Sequence, residues 1–204
     1  MSGNNRNTIN VVISGVGGQG VLTLAELLAK AALSQSYNVR VGEIHGMAQR
    51  GGHVVCTVRI GSMAKGPIVD EGFADILVGF EPVETLREIA RIKKDGHVLM
   101  SSHIQFPVAV SMGKAEYPSR KQIVSNIENL TNNFIEIDAM SLAKEAGSSR
   151  AMNMVLFGGI VATDLLPITR EAAIDAVRKK FPGKFEDINV KAIHLGFSSV
   201  ENQK

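Results

Sequence analysis

The chain has 204 residues, 45% of them apolar and 21% charged, with a formal net charge of +2, which suits one compact soluble domain with a real core. So small a positive balance, with no Lys/Arg cluster, no Trp and only 5% aromatics, argues against nucleic acid and membrane surfaces as partners. The lone cysteine, Cys56, cannot supply the thiolates of an iron-sulfur cluster, and the histidines at 45, 53, 97, 103 and 194 show no metal-ligand spacing.

Residues 9–14, INVVIS, read as a buried parallel strand that ends at Gly15. Residues 21–33 read as a helix lying on a sheet, its wet edge limited to Thr23, Glu26, Lys30 and Ser34. Strands follow at 38–43 and 53–60, so the order is strand, glycine turn, helix, strand, glycine turn, strand. A strand at 76–80, ILVGF, leads into a helix that opens at Glu81-Pro82, with Val83, Leu86, Ile89 and Ala90 as its buried face. Residues 93–96 form a turn and 97–101 a further strand, and this repeated rhythm implies parallel connections. Loop-like chain at 103–118 precedes a helix with Ile123, Ile127 and Leu130 on one face, then a strand at 134–138. The rest is helical, roughly 140–146, 150–165, 170–181 and 185–199.

The expected fold is α/β, a three-layer, Rossmann-like, mostly parallel sheet closed on one side by a C-terminal helical subregion. With no linker composition, 1–204 is expected to form a single domain, 1–8 being a polar flexible N-terminus. The longest nearly unbroken apolar stretch, 154–162, is about half of the ~20 residues a spanning helix needs. The start, MSGNNRN, lacks the apolar core of a signal peptide, and the expected location is the cytoplasm.

Gly15-Val16-Gly17-Gly18-Gln19-Gly20 satisfies GxGxxG between a strand and a helix. Such glycines permit positive φ, and unpaired N–H groups at the helix start favour a phosphate or carboxylate. The same glycines also serve a bare tight turn, and the residues alone leave both readings open. Glu43, about 20 residues further on, is placed to hold a ribose, which sustains the alternative of a stand-alone NAD(P)-binding Rossmann oxidoreductase. A second segment is more unusual: Arg50 beside Gly51 and Gly52 pairs a forked cation with backbone donors, and His45 and Gln49 add directional groups. A structural role for Arg50, against an acidic partner residue, stands beside the ligand reading. Cys56 reads as a small buried thiol, Met152, Met154, Val155 and Leu156 as helix core, and Asn153 as a cap or a buried hydrogen bond. Gly158-Gly159 inside a helix implies close packing by another element, from this chain or another subunit.

GVGGQGV at 15–21, EIHGMAQRGG at 43–52, ADILVGFEPVETLR at 74–87 and, less specifically, RAMNMVLFGG at 150–159 resemble the gamma domain of the 2-oxoacid:ferredoxin oxidoreductases. The resemblance is to the indolepyruvate-oxidising branch, where this domain is a separate small (beta) subunit. Lys65-Gly66-Pro67 departs from the Ser-Pro frequent there. The resemblance implies a complex that turns an aryl 2-oxoacid and coenzyme A into acyl-CoA and carbon dioxide while reducing ferredoxin. It implies no catalytic residue and no cofactor on this chain, with thiamine diphosphate and [4Fe-4S] clusters on a larger alpha subunit. Ferredoxin would then be met through the complex. The residues assigned to binding are Gly15, Gly17, Gly18, Gln19, Gly20, His45, Gln49, Arg50, Gly51 and Gly52, for coenzyme A phosphates at the subunit interface or for the partner itself. A purely structural partner subunit, with an empty glycine turn, is the remaining alternative.

Overall fold

The computed structural model describes residues 8–45 and 51–203. Among them, strands β1 (Ile9–Val16), β2 (Val39–His45), β3 (His53–Ile60), β4 (Ala74–Gly79), β5 (Ile92–Ser101) and β6 (Asn133–Ile137) form one sheet, ordered β2-β3-β1-β4-β5-β6. The helices are α1 (Val21–Ser34), α2 (Pro82–Arg87), α3 (Val108–Ser111), α4 (Arg120–Glu128), α5 (Ala139–Ala146), α6 (Met152–Ala162), α7 (Arg170–Lys180) and α8 (Glu186–Glu201).

β1, β4, β5 and β6 run parallel, as the strand-helix-strand rhythm implies. The other half differs from a dinucleotide fold, because β3 lies between β1 and β2 and is antiparallel to both. The short connection from β2 to β3 permits only a hairpin, whereas the α1 crossover sets β2 parallel to β1 but one strand further out. The 93–96 turn is an irregularity within β5, marked by positive φ at Asp95 and a register shift against β4.

β1 alternates between two cores. Val11 and Ile13 face the larger one, filled by α1, α5, α6, α7 and α8, and Val12 faces the smaller one under α2 and α4. The C-terminal helices therefore cover one side of the sheet, as expected. On α1, Leu24, Leu27 and Leu28 are fully buried, each contributing about 1.5–3 kcal/mol. The glycines of α6 serve this chain and not another subunit: a Cβ on Gly158 would strike the Ile193 carbonyl of α8, and one on Gly196 the Val155 carbonyl of α6. No helix among the described residues is long and apolar enough to cross a membrane.

Two helix faces differ from their expected form. α4 stops at Glu128, so Ile123 and Ile127 are buried while Leu130 is exposed. On α2 the fully buried positions are Pro82, Glu84 and Thr85, with Val83 and Leu86 only partly covered and Ala90 exposed. Val83, Leu86 and Ile89 still pack against the smaller core as expected, and carboxylates are buried beside them because basic and hydroxyl partners from other elements meet them.

Candidate functional site

The two glycine turns meet. β1 and β3 pair with Val16 opposite His53, so the chain leaving β1 and the chain entering β3 lie side by side. The Gly17 N–H donates to the Gly52 carbonyl at 2.8 Å, and the Gly51 N–H donates to the Gly17 carbonyl at 3.2 Å. Both turns thus stand at the carboxyl ends of β1 and β2, the usual ligand edge of an open sheet. Gly18, Gly20 and Gly51 have φ of 105°, 94° and 74°, which a side chain tolerates poorly. Gly20 is the N-cap of α1, and no side chain caps that helix. Its first turn therefore presents backbone donors and the positive end of its dipole.

Within the motif the residues divide their work. Gly15 is a packing glycine, since a Cβ there would crowd Phe80 at 2.7 Å and Val21 at 2.8 Å. Gln19 folds back to accept from the Val16 N–H at 2.8 Å, while its Nε2 donates to Gln105 Oε1 at 3.2 Å. It braces the turn and leaves Gly17, Gly18 and Gly20 facing the opening. Gln49 and Arg50, together with the side chain of His45, lie outside the described residues. Glu43 lies on the edge strand β2, separated from β1 by β3, and so does not flank the glycine turn as a ribose-binding acid would.

The opening is a crevice of 480 Å³ lined by Gly17, Gly18, Gln19 and Gly20 on one side and by His103, Gln105, Met140, Ser149, Arg150, Met152 and Asn153 on the other. Sequence reasoning missed this far wall. Asn153, read as a cap or a buried hydrogen bond, is 7% exposed, and its side chain makes no hydrogen bond among the described residues. Its amide points at the α1 N-cap, 2.6 Å from where a Gly20 Cβ would stand. Arg150 is exposed on the turn before α6 and makes no ion pair among the described residues. The available signal was the RAMN start of the segment 150–159, polar residues at the head of an otherwise apolar helix.

Beside the second turn, His53 is clamped. Its Nδ1 meets Glu84 Oε2 and its Nε2 lies 2.9 Å from Glu88 Oε1, while Arg87 and Arg91 hold the same carboxylates from outside. Hydrogen bonds to Glu84 and then Glu88, working against burial, push the His53 pKa up to about 9. Burial pulls Glu88 upward, but His53 and Arg91 together hold it below the usual carboxylate range. Glu81, fully buried, caps α2 by accepting from the Val83 and Glu84 N–H groups and also accepts from the Tyr117 hydroxyl at 2.5 Å. Burial and then that carboxylate push the Tyr117 phenol upward. These contacts anchor β3 and the segment around Tyr117 to the α2 region.

Cys56 is fully buried in β3, its thiol pushed up to about 12 by burial and then by the Glu43 charge. No group of three or more His, Cys, Asp or Glu among the described residues is placed to hold a metal ion. A single protonated, enclosed thiol does not fit an iron-sulfur cluster.

A sequence model of the family described as "Pyruvate ferredoxin/flavodoxin oxidoreductase" matches residues 10–199. The chain belongs to this family. It is 46% identical to the "Indolepyruvate oxidoreductase subunit IorB" of Pyrococcus horikoshii, over 94% of this chain and 96% of that one. It is 32% identical to the "Ketoisovalerate oxidoreductase subunit VorA" of Methanothermobacter marburgensis over 92% of this chain but only 36% of the relative, so there the unit is part of a longer chain. Its fold is similar to that of the gamma subunit of a keto/oxoacid ferredoxin oxidoreductase from Geobacter sulfurreducens, with a TM-score of 0.70 at 23% identity, covering 95% of this chain and 99% of that one.

Proposed function

We propose that this chain is the small, non-redox subunit of a 2-oxoacid:ferredoxin oxidoreductase that acts on indolepyruvate or a related aryl pyruvate in the cytoplasm. The observation that carries the reading is 46% identity running through 94% of this chain and 96% of a relative that is itself named as an oxidoreductase subunit. A match of that extent is more than a shared motif, and residues 1–204 are accordingly read as one gamma-type domain. In the overall reaction a 2-oxoacid and coenzyme A give an acyl-CoA, carbon dioxide and a proton, and the released electron pair passes singly to ferredoxin. Thiamine diphosphate and iron-sulfur clusters on a larger subunit supply decarboxylation and electron removal. The one buried thiol of this chain supports that division of labour.

This chain's own part is binding and positioning. The N–H groups of Gly18, Gly20 and the first α1 turn, together with the cation of Arg50, receive the anionic part of coenzyme A at the subunit interface, while the hydrogen bonds among Gly17, Gly51 and Gly52 fix the shape of the cradle. His45 and Gln49 are assigned to the same ligand as further donors, while Gln19 and Gly15 hold the turn in shape. The Asn153 amide at the α1 N-cap and the first turn of α1, which no side chain caps, both offer N–H donors to an anionic group. Co-expression with the larger subunit, followed by titration calorimetry with coenzyme A, tests the assignment. Arg50→Ala is expected to weaken coenzyme A binding or assembly. Unchanged activity of the reconstituted complex would remove the role of that cation, and absence of binding at millimolar ligand would remove the coenzyme A site.

A further inference from the structure

A second crevice, of 550 Å³, adjoins the first. Thr23 of α1, Arg150, Asn153, Phe181, Phe185 and Ile188 are among its walls, so Arg150 and Asn153 line both spaces and mark where they join. The two halves differ in chemistry. The first is framed by glycine backbone and the α1 N-terminus, whereas the second is walled by two phenyl rings and an isoleucine, with Asn153, Asn189 and Thr23 as interspersed hydrogen-bonding groups. Phe185 is 54% exposed, and Lys184 Nζ lies 5.0 Å from its ring centroid, so a large apolar ring and a cation stand together at the rim.

We propose that the joined crevices form one site for a purine nucleotide, with its phosphates between the α1 N-terminus, Asn153 and Arg150 and its base against Phe181 and Phe185. The inference rests on the reading of the glycine turn as an anion cradle and adds the second half of the ligand. Asn153 is the central observation. Its side chain makes no hydrogen bond among the described residues, lines both crevices and lies 2.6 Å from where a Gly20 Cβ would stand, so a phosphate at the α1 N-cap would accept from its amide. Arg150, without an ion pair among the described residues, supplies the charge that the uncapped helix alone supplies only in part. A base stacked on the phenyl rings has its polar edge near the Asn153 and Asn189 amides, a combination of flat apolar walls and few polar groups that suits a heterocycle.

The test compares inorganic diphosphate with ADP on the full chain by calorimetry, in wild type and in exposed-site variants. ADP is expected to bind at least tenfold more tightly than diphosphate. Arg150→Ala is expected to weaken both, whereas Phe185→Ala weakens ADP by roughly tenfold and leaves diphosphate unchanged, with Phe185→Tyr retaining affinity. ADP binding no tighter than diphosphate, or a Phe185→Ala loss equal for the two probes, would overturn the base pocket alone. Absence of any diphosphate binding would overturn the anion cradle and this inference with it.

Discussion

Replacing His53 by Gln should remove a pH-dependent part of the chain's stability. In the fold the imidazolium is held by Glu84 and Glu88, and its pKa rises from 6.5 to about 9. Full conversion of that rise would correspond to about 3 kcal/mol, at roughly 1.4 kcal/mol per unit. The side chain is 33% exposed, and solvent screening together with the cost of burying the charges brings the expectation down to about 1–2 kcal/mol. Because the folded pKa lies above the unfolded one, this stabilisation is complete below about pH 6.5 and is lost as pH rises through about 9. Urea unfolding of wild type and His53→Gln, repeated between pH 6 and pH 9.5, reads it directly. The difference in unfolding free energy between the two is expected to shrink across that interval by the stated amount. Parallel stability profiles would refute the clamp as a charged unit.

Three further outcomes follow from the packing and the buried polar groups. Gly158→Ala drives a methyl into the Ile193 backbone carbonyl, which cannot move as a side chain can, so thermal unfolding should show a loss of about 1–3 kcal/mol; an unshifted midpoint would contradict the α6–α8 contact. Tyr117→Phe removes the hydroxyl donor to the buried Glu81 carboxylate and should cost about 1–3 kcal/mol in urea unfolding at neutral pH, whereas an unchanged midpoint would show that the two backbone donors alone satisfy that carboxylate. Cys56, protonated and enclosed, should react with a thiol reagent at pH 8 only as fast as the chain unfolds, and rapid labelling of the native protein would contradict its place in the sheet.

What was legible in the sequence was what local pattern determines. INVVIS is apolar on both faces because β1 is central and covered on both; α1 packs between the sheet and α7, but its exposed edge is wider than the polar stripe, since Leu22 and Leu33 are also exposed. The glycine turn was legible because positive φ at Gly18 and Gly20 is a local demand. The insertion of β3 between β1 and β2 was not, since the sequence between the two strands carries Arg, Gln and glycines that read as a ligand loop. Nor was the burial of Glu84 and Glu88, whose partner His53 lies far away in the chain. The far wall of the crevice stayed hidden for the same reason, because nothing near Arg150 or Asn153 in sequence announces the α1 N-terminus that they face.

The most direct measurement is turnover of indolepyruvate with coenzyme A and ferredoxin by this chain purified alone, and then with its larger partner added. The account predicts no activity from the lone chain and activity in the complex, with thiamine diphosphate and iron-sulfur clusters retained on the larger subunit. Oxoacid oxidation by the isolated chain would contradict it.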